Sequence, residues 1–424
     1  MRESISSVSE TPLATNKLKR LIVSTPQGRA GEILKESRFV FNYSATEKAR
    51  EVSLTMPLRA ESYSSGALPY IFEMNRPEGY LLTKIEEVFA KLGGLDDMRL
   101  LAVVGGEQIG RLSYSEPETP ARRRRPGIGL NEILARQPTS ELFDFLVATY
   151  FESGVSGVQP KVLVPDADRA SSLQERTTVT HANLIVKASG EEFPHLTQNE
   201  FLCLSAARRA GISVPNFWLS SSGGLFVSDR FDLQGGVPLG FEDMTVLTNK
   251  PSKDKYSSSY ETVAKAVQLY CAQSDPLTQL HRLFEYIVLI CLVRNGDGHL
   301  KNFGLLYDHP DASATIRLAP LYDVVTTSIY AVGTGRAAIT KYDRTLALNL
   351  AKSKQYPDRS TLMEFGSMHC LVKRPAEIIE RISDAMSATL DEYREHVDPI
   401  LWQSMRTEWD AGRASVAEAR VRAR

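Results

Sequence analysis

The chain has 424 residues, with 50 basic and 51 acidic side chains giving a net charge of −1, and 42% of it is hydrophobic. This balance excludes a global field for nucleic acid or an anionic membrane, and the composition is that of a globular protein of two or three domains or one two-lobed fold. Cys203, Cys271, Cys291 and Cys370 show no paired short spacing, so they read as thiols of a reduced compartment, with neither a disulfide frame nor a zinc site.

The opening stretch has no signal-like apolar run, and the longest apolar run, residues 286–293, is too short to span a bilayer. A cytoplasmic protein without membrane association is expected. Residues 1–14 are Ser/Thr-rich and predicted to be flexible. Residues 15–116 are predicted to form an α+β subdomain. Short strands fall at 18–23, 31–36 and 39–44, helical spacing over 81–93 stops at Gly93-Gly94, and two more strands are expected between Met98 and Ser115. PETPARRRRPGIG (117–129) marks a boundary, and its run Arg122–Arg125 reads as a solvated loop before a nucleic-acid contact.

Residues 117–240 read as a helix (131–153), a small-residue loop, and strands at 162–164, 183–188, 217–220 and 224–233, with a helix at 199–211. From 241 to 424 the pattern turns helical, over 259–273, 277–293 and 374–397. Residues 348–360, with Lys352 and Lys354, read as a solvated loop, and the stretch from Trp409 onward as a polar helix or frayed tail. His181, His195, His281, His309, His369 and His396 follow no metal-ligand spacing.

Four stretches carry chemistry. In SGVSGVQPK (153–161), Gly154 and Gly157 would let backbone N–H groups approach phosphate oxygens, although the loop is not of the Walker type. Lys187 ends the apolar strand NLIVKA, where a buried ammonium needs a partner; phosphates and Glu200, on the following helix, would provide one. RNGDGHLKNF places Asp297 and Asn302 five apart directly after a ten-residue, mostly apolar run. That offset suits a carboxylate that accepts a hydroxyl proton and an amide that holds Mg²⁺. Asp323, behind Tyr322 in LAPLYDVV, follows where a second metal-binding carboxylate belongs. Each stretch alone has a bland reading as a turn or strand end; their order and intervals together point to phosphoryl transfer.

Taken together, these residues resemble the HipA family of bacterial serine/threonine kinases, toxins of HipA/HipB-type toxin–antitoxin systems. GVSGVQPK, VKAS, VSDRFDL, GFEDM, NGDGHLKNF and LYDVV carry the resemblance, with LTMPLR (54–59), residues 63–79 and residues 103–115 resembling the family's N-terminal subdomain. It implies a two-lobed, protein-kinase-like α+β fold with a β-rich N-lobe, an extra N-terminal subdomain (15–116), an ATP-binding part (117–240) and a helical C-lobe (241–424). It also implies ATP and Mg²⁺ as cofactors and Asp297 as catalytic base, with Asn302 and Asp323 as metal ligands. ATP would meet Gly154, Val155, Ser156, Gly157, Val158, Gln159, Lys161, Lys187 and Glu200. The Asp229, Arg230 and Phe231 backbone would meet adenine with Asp232 near the ribose, and His299, Leu300, Lys301, Asn302 and Tyr322 would complete the site. Autophosphorylation is expected at Ser156, since Gly154 stands where well-known members carry their modified serine. The implied partners are a protein substrate such as an aminoacyl-tRNA synthetase and a small helix-turn-helix antitoxin, through which DNA contact would be indirect. A small-molecule kinase and a non-catalytic, kinase-shaped regulator binding antitoxin and DNA are the alternatives.

Overall fold

The computed structural model describes residues 18–89, 95–117, 127–135, 153–154, 159, 161–167, 183–190, 192–332 and 341–418. The Arg122–Arg125 run, residues 1–14 and the loop residues Val155 to Val158 lie outside them. Strands Arg20–Thr25, Gly28–Lys35, Phe39–Tyr43, Tyr63–Ser65 and Ser113–Ser115 form a five-stranded antiparallel sheet. Alternation along Leu21, Val23, Ile33 and Phe41 sends one face into a core with Phe72, Met98, Leu101 and Tyr114.

The segment 97–104 departs from expectation. It is a helix, Asp97–Val104, where a strand is predicted. Asp96 caps it by accepting from the Arg99 N–H at 2.9 Å. Met98 and Leu101 face the first core while Leu100 and Val104 pack against Ile85. Only Val103 and Val104 of the eight residues are β-branched, and the Asp96 cap with helix-favouring Met, Arg, Leu and Ala outweighs them.

A second, four-stranded antiparallel sheet runs in the order Phe217–Leu219, Leu225–Asp229, Leu184–Ala188, Lys161–Val164. The helix Leu196–Arg209 packs beside it. Beyond residue 240 the chain is mainly helical, around Pro276–Leu292. Asp275 caps that helix from the Thr278 N–H at 3.1 Å and Pro276 opens it. Its last seven residues, Tyr286 to Leu292, are all buried, which explains an apolar run without periodicity. The small sheet Gly240–Asp243, Gly304–Tyr307, Arg317–Leu318 flanks it.

Two further expectations are corrected. Residues 345–355 form a hairpin, Thr345–Leu350 with Ser353–Gln355, whose Leu348 is fully buried while Lys352 and Lys354 stay exposed. Of the C-terminal stretch, residues 409–415 are the helix expected, the end of Pro399–Ser415. Its polar character is corrected at Trp409, which is fully buried with its indole N–H donating to Thr326 Oγ1 at 2.8 Å. No helix among the described residues is long and apolar enough to cross a membrane.

Glu242 fastens the N-terminal sheet unit to the rest. Fully buried, it accepts from Ser53 Oγ at 2.8 Å, the Leu54 N–H at 2.7 Å and the Tyr307 hydroxyl at 2.5 Å. Burial pushes its carboxyl up to about 7.

Candidate active site

Lys161 and Lys187 stand directly opposite each other on antiparallel strands, so the register alone puts two ammoniums on one face. Like charges so placed repel, and both are nearly buried. Two carboxylates from other elements balance them. Lys187 Nζ lies 2.6 Å from Glu200 Oε1, on the Leu196–Arg209 helix, and 2.6 Å from Asp323 Oδ1, and Lys161 Nζ lies 3.7 Å from Asp323 Oδ2. Burial alone would lower Lys187, but Asp323 and Glu200 hold it well above the usual lysine range. Burial would likewise raise Asp323, yet Lys161 and Lys187 hold it well below the usual carboxylate range. Glu200 is raised by burial, Lys187 offsetting only part of it.

Asp323 adopts φ of +59°, a left-handed conformation that non-glycine residues rarely hold unless the surroundings impose it. Tyr322 lies just before it, stacked at 4.9 Å on Phe231, and donates its hydroxyl to the Lys301 carbonyl at 2.8 Å. Phe231, the Asp323 turn and the catalytic-loop candidate are thus packed together.

That loop leaves the Pro276–Leu292 helix through Arg294, also left-handed at φ +57°. The Asp297 N–H donates to Asn295 Oδ1 at 2.8 Å, and the Tyr260 hydroxyl donates to the Gly298 carbonyl at 3.0 Å. A Cβ at Gly296 would sit 2.7 Å from the Thr345 carbonyl, so this approach requires glycine. Asp297 is half exposed, and its Oδ1 accepts from the Tyr256 hydroxyl at 2.6 Å. His299 Nε2 lies 3.9 Å from the same oxygen. Burial lowers His299 to about 4, outweighing the pull of Asp297, so at neutral pH that contact is with a neutral imidazole and is no ion pair.

The site residues do not all gather in one place. Asp297, His299 and Asn302 share one loop, and Lys161, Lys187, Glu200 and Asp323 converge. Lys301, expected along the phosphates, points its ammonium at Glu78 Oε1, 2.7 Å away in the N-terminal unit. Leu300 is fully buried, its N–H donating to the Lys255 carbonyl at 3.1 Å. Asp232, expected beside a ribose, is fully buried. Its oxygens accept from Arg230 at 3.0 and 2.8 Å and from the Gly110 N–H at 2.6 Å. The Asp229 and Arg230 N–H groups donate to the Asn216 and Asn183 carbonyls at 2.9 Å each. Gln159 Nε2 donates to the Ala188 carbonyl at 3.5 Å, and Gly154 pairs with Gln108 in a short parallel bridge. Glu78 and Tyr256 escaped the sequence reading: one is 223 residues from its partner and the other 41, and no local pattern marks either.

The donor set fits magnesium held on phosphates. Mg²⁺ takes one or two carboxylates plus substrate oxygens and has no need of a protein cage, and no cluster of three metal-ligating His, Cys, Asp or Glu occurs among the described residues. Asn302 Oδ1 accepts one hydrogen bond, from the His299 N–H at 3.0 Å, and a carbonyl oxygen keeps a second lone pair. Glu200 Oε2 and His299 Nδ1 are buried without a partner, polar atoms of the kind a bound group would satisfy.

A five-stranded N-terminal sheet, a strand lysine paired to a helix glutamate, and a helical half presenting Asp297, Asn302 and Asp323 define a two-lobed protein-kinase-like fold. The HipA-like C-terminal domain model matches residues 153–390 and the HipA N-terminal domain model residues 21–115. The chain belongs to the HipA family. It is 31% identical over 197 residues to a Haemophilus influenzae protein named "Putative kinase", covering 42% of this chain and 53% of that one. It is 27% identical over 335 residues to "Putative kinase Y4mE" of Sinorhizobium fredii, covering 73% and 76%. The chain spans about half the length of the first of these. Among solved structures, HipA in the Shewanella oneidensis complex of HipA, HipB and operator DNA superposes with a TM-score of 0.68 at 17% identity, over 93% of this chain and 96% of that one. That likeness is one of fold.

Proposed function

We propose that the chain is a Mg-ATP-dependent serine/threonine protein kinase, the toxin of a toxin–antitoxin pair. The observation that carries the reading is the convergence of Lys187 with Glu200 and Asp323 at 2.6 Å each. A strand lysine paired to a helix glutamate, with an aspartate at hand for metal, is the set that protein-kinase phosphoryl transfer uses. Bound, ATP would supply the phosphoryl group and Mg²⁺ the charge neutralisation, with Asn302 and Asp323 as ligands and Lys187 and Lys161 toward the phosphates. Asp297 orients the acceptor hydroxyl and takes its proton. Buried, neutral His299 walls the loop without adding charge, and the backbone from Asp229 to Phe231 provides the adenine edge.

The N-terminal unit, superfluous in a minimal small-molecule kinase, supports a protein target, and an aminoacyl-tRNA synthetase is the class we infer. An antitoxin partner is inferred from family membership, and the Shewanella relative is complexed with HipB and operator DNA. Incubating lysate with labelled ATP tests the reading. A labelled protein band with wild type, absent with Asp297→Asn, is expected, and a labelled low-mass product would transfer the assignment to a metabolite kinase. Toxicity that persists in Asp297→Asn would favour a non-catalytic regulator. We further infer autophosphorylation at Ser156, where a phosphate would add about −1.5 to −2 charge and repel nucleotide. Phosphopeptide mapping that finds phosphate only at Ser153, or nowhere, would overturn it.

A further inference from the structure

Tyr256 lies in a segment that no motif singles out, yet its hydroxyl donates to Asp297 Oδ1 at 2.6 Å. Its ring meets the His299 ring edge-on, with centroids 5.0 Å apart and planes at 74°. A 41%-exposed tyrosine is ordinarily a surface residue that swings freely. Here the backbone on both sides is tied down: the Leu300 N–H donates to the Lys255 carbonyl at 3.1 Å, the Ser257 N–H to the Asp254 carbonyl at 2.9 Å, and the Asn349 N–H to the Ser258 carbonyl at 3.1 Å. The phenol is therefore presented to the loop by a fixed support.

Asp297 needs that support. Its main chain is held by Asn295 and, through Gly298, by Tyr260. Its half-exposed carboxylate, in contrast, is gripped through Oδ1 by Tyr256, and no described residue donates to Oδ2. A loose, metaphosphate-like transition state asks little basicity of the carboxylate and much orientation.

We propose that Tyr256 is a positioning residue, its hydroxyl and its packing on His299 fixing one oxygen of Asp297 so that the other receives the acceptor's proton. The inference rests on the kinase reading. In the transfer step the acceptor oxygen bonds to the γ-phosphorus, the bond to the ADP oxygen breaks, and the acceptor proton passes to Asp297 Oδ2. Tyr256 keeps its own proton throughout. Burial first, then the charge of Asp297 and its hydrogen bond, raises the Tyr256 hydroxyl above the ordinary tyrosine range, which gives a readout independent of turnover.

The test pairs steady-state kinetics of Tyr256→Phe with a pH titration of nucleotide-free, ¹³Cζ-tyrosine-labelled protein. Phenylalanine keeps the ring on His299 and removes only the charge-assisted hydrogen bond, so kcat should fall about tenfold with KM for ATP and the urea midpoint unchanged. In the titration, Asp297→Asn should bring the Tyr256 signal to lower pH. A Tyr256→Phe kcat within twofold of an active wild type overturns the positioning role while leaving the kinase reading standing. So does a Tyr256 signal that ignores Asp297→Asn. A wild type that transfers no phosphate sinks the kinase reading and the positioning role with it.

Discussion

Replacing Lys187 by methionine should destabilise the protein in a pH-dependent way. Each 2.6 Å contact of its ammonium is worth about 6 kcal/mol gross at an effective dielectric of about 20, opposed by several kcal/mol of desolvation per ion. Deleting the lysine leaves Asp323 its contact with Lys161 at 3.7 Å but strands Glu200, whose side chain is 1% exposed. Glu200 escapes by taking a proton, and protonating a carboxyl of ordinary pKa near 4.3 at pH 7 costs about 4 kcal/mol, whereas at pH 5 it costs about 1 kcal/mol. A raised carboxyl pKa in the folded state means the unfolded chain binds fewer protons, so the variant loses stability as pH rises. Urea unfolding followed by tryptophan fluorescence, on wild type and Lys187→Met at both pH values, should therefore give a deficit near 4 kcal/mol at pH 7 shrinking toward 1 at pH 5. An equal deficit at the two pH values, or one under about 1 kcal/mol at pH 7, would refute the account of a neutralised buried quartet.

Asp297→Asn should cut phosphate transfer about 10²- to 10⁴-fold with little change in nucleotide affinity, checked by single-turnover kinetics and equilibrium binding. His299, lowered to about 4 when folded against about 6.5 unfolded, binds protons preferentially in the unfolded chain. Stability should thus fall by up to about 3 kcal/mol as pH drops through that window, and His299→Gln should flatten this part of the profile. Breaking the 2.7 Å pair between Glu78 and the nearly buried Lys301 by Glu78→Ala should cost about 1–2 kcal/mol in urea unfolding. Because burial, which would raise Glu78, is outweighed by Lys301, its contribution should be present above the ordinary glutamate pKa and be lost as pH falls below it. A deficit unchanged at acid pH would contradict that pairing.

What the sequence by itself determined is whatever short range encodes. The apolar run into Asp297, the five-residue step to Asn302, the lysine ending a strand and the glutamate on the next helix are local patterns. The unbroken apolar run located the core helix, and short apolar, β-branched segments most of the strands. Tertiary structure decided what local patterns do not carry. Register made Lys161 the neighbour of Lys187, and packing divided the faces of the 97–104 helix between two cores. Contacts across the chain brought Glu78 to Lys301 and Tyr256 to Asp297 and turned Asp232 inward onto Arg230. The physical reason is common to all of these: a side chain's partner is chosen by which surfaces bury against each other, and burial is settled by the whole fold.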